Sequence, residues 1–575
     1  MTVTTAAGPF GRARRRLRTA ARPNVVVTDP PAGVRLDQDV EVVVRDGTVL
    51  RVNVFRPGDD DRPRPVLMSA HPYGKDYLPR KTRGLYRPFP NLRVLPQSKK
   101  FTISAWTGWE APDPGYWVDA GYVVINADLR GWGRSEGSGD LFWPQEGLDY
   151  HDLIEWAAAQ PWCTGRVGLT GVSYLATSQW AAAATHPPHL EAICPWEGFT
   201  SLWDVARPGG VREDGLMVMW TRGTRRSRPE NRVDLRAQQK ARGVYDSWWA
   251  ARDQPLDKIE VPALVCASFS DHNLHSKGSF EGFLGIAATH KWLYTHRGPK
   301  WAEYYGVDGL AAQRRFFDHF LKGEDTGQLA VPPVRLEVRA DADTVTSVRA
   351  EHQWPPAATV WQRWNLHRDG RLDPSLPLDG ARAFRTRGRG LRFTHRIESD
   401  TEIVGPMRLQ LPVSLARGGD ACLFVGVRKT RNGREVAFEN AYGFRGSLVT
   451  HGIRRLSHYA RGADGRPRDD IAEGLIASQV VPLAIDLLPS ATLFEAGSEL
   501  HLEIAGRWFY ARNPLTGQFP AYYERSARGR CTVHLGSEGG AWLQVPVQPV
   551  PPRPMTRMGA VDQRVASNYS EASES

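Results

Sequence analysis

The stretch GRVGLTGVSYLATSQWAAA, Gly165 to Ala183, joins a continuous apolar run to an Ala-rich run with little more than one serine between them. An unbroken apolar run reads as a strand buried on both faces, and an Ala-rich run of this length reads as a helix. Ser173 then stands on a sharp strand-to-helix turn. Gly171, two residues before it, permits the strained backbone that such a turn needs. The usual nucleophile elbow has a second small residue two after the serine. Here Leu175 holds that place and Ala176 follows it. On spacing alone, a nucleophile elbow and a plain strand–turn–helix both stay open. In the first reading, the helix N-terminus and the Tyr174 backbone N–H face a developing oxyanion.

The rest of the chain is consistent with a sheet around this turn. From about Val40 to Leu190 strands alternate with helical stretches. VEVVVRDGTVLRVNVFRP reads as a hairpin with its turn at Asp46-Gly47. RPVLMSAHPYG and YVVINADLRGWG are buried central strands that end in glycine-rich loops, and LDYHDLIEWAAAQ is an amphipathic helix. Such alternation predicts an α/β fold with a mostly parallel sheet covered on both faces. Asp128, Arg130 and Gly131 form a tight loop that braces the site. Between about Trp196 and Leu256 the β-pattern stops and an Arg-rich helical segment intervenes, read as a cap. IEVPALVCASFSD and HKWLYTHRG resume the sheet. From about Val331 short β-runs divided by turn residues predict an all-β sandwich or jelly roll.

A serine needs a base and an orienting acid to become a nucleophile. In a sheet of this kind they follow the serine in the order acid, then histidine, past later strands. Asp271 closes the run VPALVCASFSD and His296 closes HKWLYTH, so these two are the predicted acid and base. His272 and His275, on the same loop as Asp271, and His290, before the strand, compete for the base. DHNLH also reads as a metal pair, but no third ligand lies near it in sequence, and no metal or other cofactor is expected.

At these residues the chain resembles the cocaine esterase and X-Pro dipeptidyl-peptidase family of α/β-hydrolases, the CocE/NonD hydrolases, which includes the α-amino acid ester hydrolases. The resemblance runs from about residue 36 to residue 550. It rests on RDGTVLRVNVFRP, HPYGK, ADLRGWGRSEG, DLIEWAAAQPWCTGRVGLTGVSYLATSQWAAA, PPHLEAICPWEG, VPALVCASFSD, YTHRG and ARNPLTG. The family carries G-x-S-Y with a small residue three after the serine, which matches Ala176. The resemblance implies that Ser173 is the nucleophile, Asp271 the acid and His296 the base. It also implies that the Tyr73 hydroxyl is a second oxyanion donor beside the Tyr174 N–H.

Departures lie at SFSD and LYTH, where the family often has G-W-Y-D and P-W-x-H, and they bear on substrate rather than mechanism. Trp203 and Trp220 on the cap are candidate substrate-binding residues, with cap packing as the alternative. The peptidase and amino-ester branches bind a substrate amine with carboxylates. Glu197, Asp204, Glu213 and Asp214 at the cap entrance offer such groups. The implied fold is an α/β-hydrolase with an inserted helical cap and a C-terminal jelly roll. Its expected division is a basic N-terminal tail (1–35), hydrolase domain (36–196 and 257–330), cap (197–256), jelly roll (331–555) and a polar tail (556–575).

The implied activity is serine hydrolysis of an ester or amide through an acyl-enzyme, an ester before a peptide. Acyl transfer with the same triad, X-Pro dipeptidyl-peptidase activity and a catalytically inactive scaffold are the alternatives. The net charge of +11 comes from scattered Arg. The exception, GRARRRLRTAAR, has no aromatic interleaving and reads as a solvated tail, with an anionic contact as the alternative; it resembles an organellar transit peptide but is short for one. The expected partner is a small-molecule ester or amide, with no nucleic acid and no membrane. A homo-oligomer is left open. There is no apolar run of membrane-spanning length and no signal-like apolar stretch, and the five scattered Cys read as reduced, buried thiols, so a cytoplasmic location is expected.

Overall fold

The hairpin around Asp46-Gly47 opens the central sheet as β1 (Val34–Val43) and β2 (Val49–Pro57), with Val43 opposite Val49. The apolar runs follow as β3 (Arg64–His71), β4 (Val123–Asp128), β5 (Cys163–Val172), β6 (Leu190–Trp196), β7 (Ala263–Ser268) and β8 (Lys291–His296). Pairing sets the order β1-β2-β4-β3-β5-β6-β7-β8. The ladders β1–β2 and β2–β4 are antiparallel and the others parallel. The computed structural model describes residues 9–95, 97, 99–224, 233–440, 444–462, 468–513 and 521–549. The expected polar tail, 556–575, lies outside these residues, as does part of ARNPLTG.

Successive residues of a strand point to opposite faces, and two cores result. Met68, Ile125 and Leu169 pack with Leu153 and Ile154 of α1 (Pro144–Ala158) and Trp180 of α2 (Tyr174–Ala183). Leu67, Val124 and Val172 pack on the other side with Trp117, Phe316 and Phe317. Both faces are therefore covered, as near-continuous apolar strands require. Because β3, β5, β6, β7 and β8 run parallel, their carboxyl ends share one rim. Tyr73, Ser173, Glu197, Asp271 and His296 stand at or just past those ends, where α/β sheets place their ligands.

Short helices replace strands between β6 and β7, as expected of the cap; the one that matters for the site is α3 (Leu216–Thr224). The C-terminal region is a two-sheet sandwich. In one sheet Thr401–Leu415 pairs antiparallel with Val481–Phe494 and Trp542–Gln548. In the other, Leu391–Arg396, Glu499–Ala505, Cys422–Arg431 and Leu448–Arg455 form a ladder. Leu409, Leu411, Val425, Leu502 and Ile504 contribute to the core between them. The strand Val334–Arg339 lies parallel to β8 and also touches Val481–Phe494, so the two regions share a continuous ladder.

The segment expected as a basic tail up to residue 35 differs from that expectation. Pro9–Ala21 is helical and Val25–Thr28 pairs in parallel with Phe101–Ser104. Arg, Ala and Leu are strong helix formers, and the Val25–Val27 run has an edge to join. All five Cys are buried and unpaired.

Candidate active site

Ser173 sits at φ 65°, ψ −116° between β5 and α2, in a region that L-residues seldom occupy. Its neighbours permit this. A Cβ on Gly171, itself at φ 141°, would lie 2.5 Å from the Leu175 Cβ, and one on Gly198 would meet the Ala176 Cβ at 2.9 Å. The small residue three after the serine thus lets the loop past β6 close over the elbow. The Ser173 N–H donates to the Trp196 carbonyl at 3.1 Å, which pins the turn to β6. Tyr174 is the first residue of α2 and has no intrahelical acceptor for its own N–H.

The Ser173 hydroxyl lies 3.1 Å from His275 Nε2, and His275 Nδ1 lies 2.6 Å from Asp271 Oδ2. With the Nδ1 proton directed to the carboxylate, Nε2 presents its lone pair to the serine. Asp271 and His275 belong to one tight turn, in which the Asp271 carbonyl accepts from the N–H groups of Leu274, His275 and Ser276. His275 caps α4 (Ser276–Gly285), and its ring stacks on Phe199 with centroids 6.3 Å apart. Asp271 and His275 are almost wholly buried.

His296, the base expected from the sequence, is not brought to Ser173. Its Nδ1 accepts from the Gly298 N–H at 3.1 Å, so the proton of the neutral ring is on Nε2, 3.1 Å from Glu197 Oε1. A ring whose Nδ1 is already an acceptor cannot donate from that atom to Asp271. The structure departs from the expected pairing: the histidine that lies between Ser173 and Asp271 is His275. Both histidines satisfy the order serine, acid, histidine. The signal that favours His275 is the four-residue spacing to Asp271, which one turn of chain can close.

A second residue missed from the sequence is Lys300, on the short helix α5 (Lys300–Tyr304) past β8. Its ammonium is 2.5 Å from Asp271 Oδ2 and 2.9 Å from His275 Nδ1. Burial would raise the Asp271 pKa, but Lys300 and His275 outweigh it and hold the carboxyl below its ordinary value. Burial, then the Lys300 charge, lowers the His275 pKa against the pull of Asp271. His275 is thus held toward its neutral form. Glu197, Asp271 and His275 each bring a donor atom within 4.8 Å of the others, and the cation among them is the Lys300 ammonium. His272 turns away, edge-on to His451 at 5.7 Å.

Tyr73 follows β3 and its hydroxyl accepts from Trp220 Nε1 at 3.2 Å. Burial, then Glu110, pushes its phenol pKa well up, and the Trp220 and Ser173 side chains adjoin the same oxygen. The phenol remains a donor. The Tyr174 hydroxyl donates to Glu146 at 2.6 Å. Its ring stacks on Trp220 at 6.1 Å and packs against Phe142 at 4.9 Å, while Phe142 meets Phe199 at 5.1 Å. Trp220 of α3 is therefore part of an aromatic wall beside Ser173. Trp203 is not. It is buried against Tyr245 and Trp249, and its N–H donates to Asp469 at 3.1 Å.

The cap-entrance carboxylates have protein partners. Glu213 accepts from the N–H groups of Gly215, Leu216 and Met217. Asp214 pairs with Arg212 and Arg236, Asp204 with Lys277, and Glu197 accepts from Ser268 at 2.6 Å. Asp128 braces the rim as expected, accepting from the N–H groups of Lys75 and Arg134, and Arg130 pairs with Asp149.

Comparison with known proteins finds matches along most of the chain. Residues 46–299 match the X-Pro dipeptidyl-peptidase S15 family, and residues 329–539 match the X-Pro dipeptidyl-peptidase C-terminal non-catalytic domain. A cocaine esterase of Rhodococcus sp. (strain MB1 Bresler) is 24% identical, over 88% of this chain and 98% of its own. A crystal structure of a CocE/NonD family hydrolase from Staphylococcus aureus is 32% identical, covering 92% of this chain and 100% of its own, with TM-score 0.84. An α-amino acid ester hydrolase, 15% identical with TM-score 0.69, shares the fold over 90% of this chain and 97% of its own.

Proposed function

The chain belongs to the CocE/NonD family of hydrolases and is a serine hydrolase; from that premise we propose that it cleaves a carboxylic ester through an acyl-enzyme on Ser173, with His275 as general base. The observation that carries the reading is the unbroken hydrogen-bonded line Ser173–His275–Asp271 at a strained strand-to-helix turn. His275 Nε2 takes the hydroxyl proton as Ser173 Oγ attacks the acyl carbon. The Tyr73 hydroxyl and the Tyr174 N–H receive the negative oxygen. His275 then gives its proton to the departing alkoxide, and water frees the acyl group by the same steps in reverse order.

The aromatic wall of Tyr174, Trp220, Phe142 and Phe199 suits a hydrophobic ester. Relatives named cocaine esterase and serine esterase point the same way. One observation favours a second reading, a substrate with an ammonium group such as an X-Pro amide. The carboxyl of Glu110 is buried beside Tyr73, with Oε1 accepting from Trp301 Nε1 at 3.1 Å, and burial raises its pKa to about 8. A substrate cation there would restore its charge.

The test is labelling with a fluorophosphonate, followed by a panel of aromatic esters, α-amino esters and X-Pro amides. Ser173→Ala is expected to lose labelling and turnover while keeping the melting temperature. Labelling that survives in Ser173→Ala overturns the nucleophile, and a kcat/KM for X-Pro amides above that for simple esters replaces the first reading with the second.

A further inference from the structure

We infer that Lys300 is a positioning residue of this site: its buried ammonium anchors Asp271 and, standing against the ring edge, keeps His275 unprotonated. The inference rests on the triad reading above. Three observations support it. The ammonium touches the same oxygen, Asp271 Oδ2, that holds His275 Nδ1, at 2.5 Å, and lies 2.9 Å from Nδ1 itself. Lys300 is 3% exposed, so solvent does little to screen it. It also arrives from a separate element, α5, and so links the acid loop to the chain past β8.

The hydrogen-bond inventory restricts what this contact can be. Asp271 Oδ2 is an acceptor for both the Nδ1 proton and the ammonium. Nδ1 spends its proton on the carboxylate, and an ammonium has only donors. At 2.9 Å the cation therefore opposes an imidazolium more than it bonds an imidazole. The groups facing His275 and Lys300 set the balance. Asp271 comes from the loop past β7, Glu197 from the loop past β6, Glu110 from the loop before β4, and Lys300 from α5. Asp271 and Glu197 hold the lysine charged, Glu110 joining them only as it ionises near pH 8, and burial and that charge hold the His275 pKa down against Asp271 and Glu197.

Two consequences follow for the reaction. The base remains free at a pH where an ordinary histidine is protonated. Once it has taken the Ser173 proton, it is a stronger acid toward the leaving oxygen. A carboxylate with no cation behind it would give the opposite bias, a more basic histidine with an acid limb at higher pH.

The experiment is the pH dependence of kcat/KM for p-nitrophenyl butyrate, from pH 4.5 to 9, on the full chain. Wild type, Lys300→Met and Lys300→Gln are compared, with fluorophosphonate labelling as the check on Ser173. The wild-type acid limb is expected below pH 6.5. In both variants it is expected to move up by about one pH unit, with kcat reduced more than KM is changed. Gln keeps a donor without the charge, so a shift in both variants assigns the effect to charge rather than to packing. A folded, labelled variant whose acid limb stays at the wild-type position overturns the inference. A wild-type limb at or above pH 6.5 does so even where neither variant folds. Failure of the triad reading is separate: it shows as wild-type protein that the fluorophosphonate does not label at Ser173.

Discussion

The indole N–H of Trp220 donates to the Tyr73 hydroxyl at 3.2 Å. The bond joins the cap to the catalytic rim and fixes what that hydroxyl can do. With one lone pair of the phenol oxygen engaged by the indole, its own hydrogen is left to the groups on the other side of the oxygen, Glu110 and Ser173. A cap residue thereby prepares a donor that belongs to the hydrolase sheet.

Tyr73→Phe removes the donor and keeps the ring. We expect kcat to fall by a factor on the order of 10² or more with KM little changed, because the lost bond is strongest to the charged oxygen of the transition state. Trp220→Phe keeps Tyr73 but removes the bond that orients it, and should give a smaller fall in kcat in the same direction. Steady-state kinetics on one aromatic ester decide this, and an unchanged kcat in Tyr73→Phe would reduce that residue to part of the wall.

The two histidines separate cleanly by substitution. His275→Ala should lower kcat by a factor on the order of 10⁴ or more and slow fluorophosphonate labelling, since Ser173 loses its proton acceptor. His296→Gln should still label, while its melting temperature falls, because the change disturbs the buried pair with Glu197. The reverse pattern would return the base to His296.

How much of this was legible in the sequence depends on whether local pattern or long-range contact decides the feature. Apolar runs determine strands by themselves, so the sheet, the cap interruption and the sandwich could be read directly. Gly171 alone left the elbow open against a plain turn, and Ala176 spoke for it only through the family resemblance. The partner of Ser173 was harder. His275 and His296 both satisfy the chain order, and the contacts that separate them, His275 to Ser173 and Asp271 and the Gly298 N–H on His296 Nδ1, form only in the folded chain. Lys300 gave no signal, since its meaning comes from Asp271, twenty-nine positions earlier. Trp203 and Trp220 looked alike in sequence. One lies under the cap against Trp249 and the other stacks on Tyr174, a difference set by how the cap helices turn.

That difference predicts different phenotypes for the two tryptophans. Trp203 is 2% exposed among Tyr245, Trp249 and His458. Trp203→Ala opens a cavity and should cost about 3–5 kcal/mol of stability. Its effect on the ratio of kcat/KM between two esters should be small in the fraction that remains folded. Trp220→Ala should do the opposite, altering the preference between a bulky aromatic and a short acetyl ester more than the melting temperature. Equal changes in selectivity from both variants would mean that the cap acts as one unit.

The pH dependence of stability should trace to buried carboxyls of the rim and cap, and Glu146 offers the clearest case. It accepts the Tyr174 hydroxyl at 2.6 Å and the Phe142 N–H at 3.0 Å. Burial raises its pKa from 4.5 to about 8 in the folded chain, with the Tyr174 bond opposing. Between those values the folded protein retains a proton that the unfolded chain has released. The associated stability is therefore fully present below about pH 4.5 and is lost as pH rises through about 8. Glu110, raised to about 8, and Glu213, raised to about 7, act in the same direction. Glu146→Gln keeps an acceptor for Tyr174 and cannot ionise. Relative to wild type, its melting temperature should improve steadily from pH 5 to pH 8.5, whatever the offset at pH 5. Thermal melts at four pH values measure this slope directly. A melting-temperature difference that stays constant across the range would show that Glu146 does not titrate there.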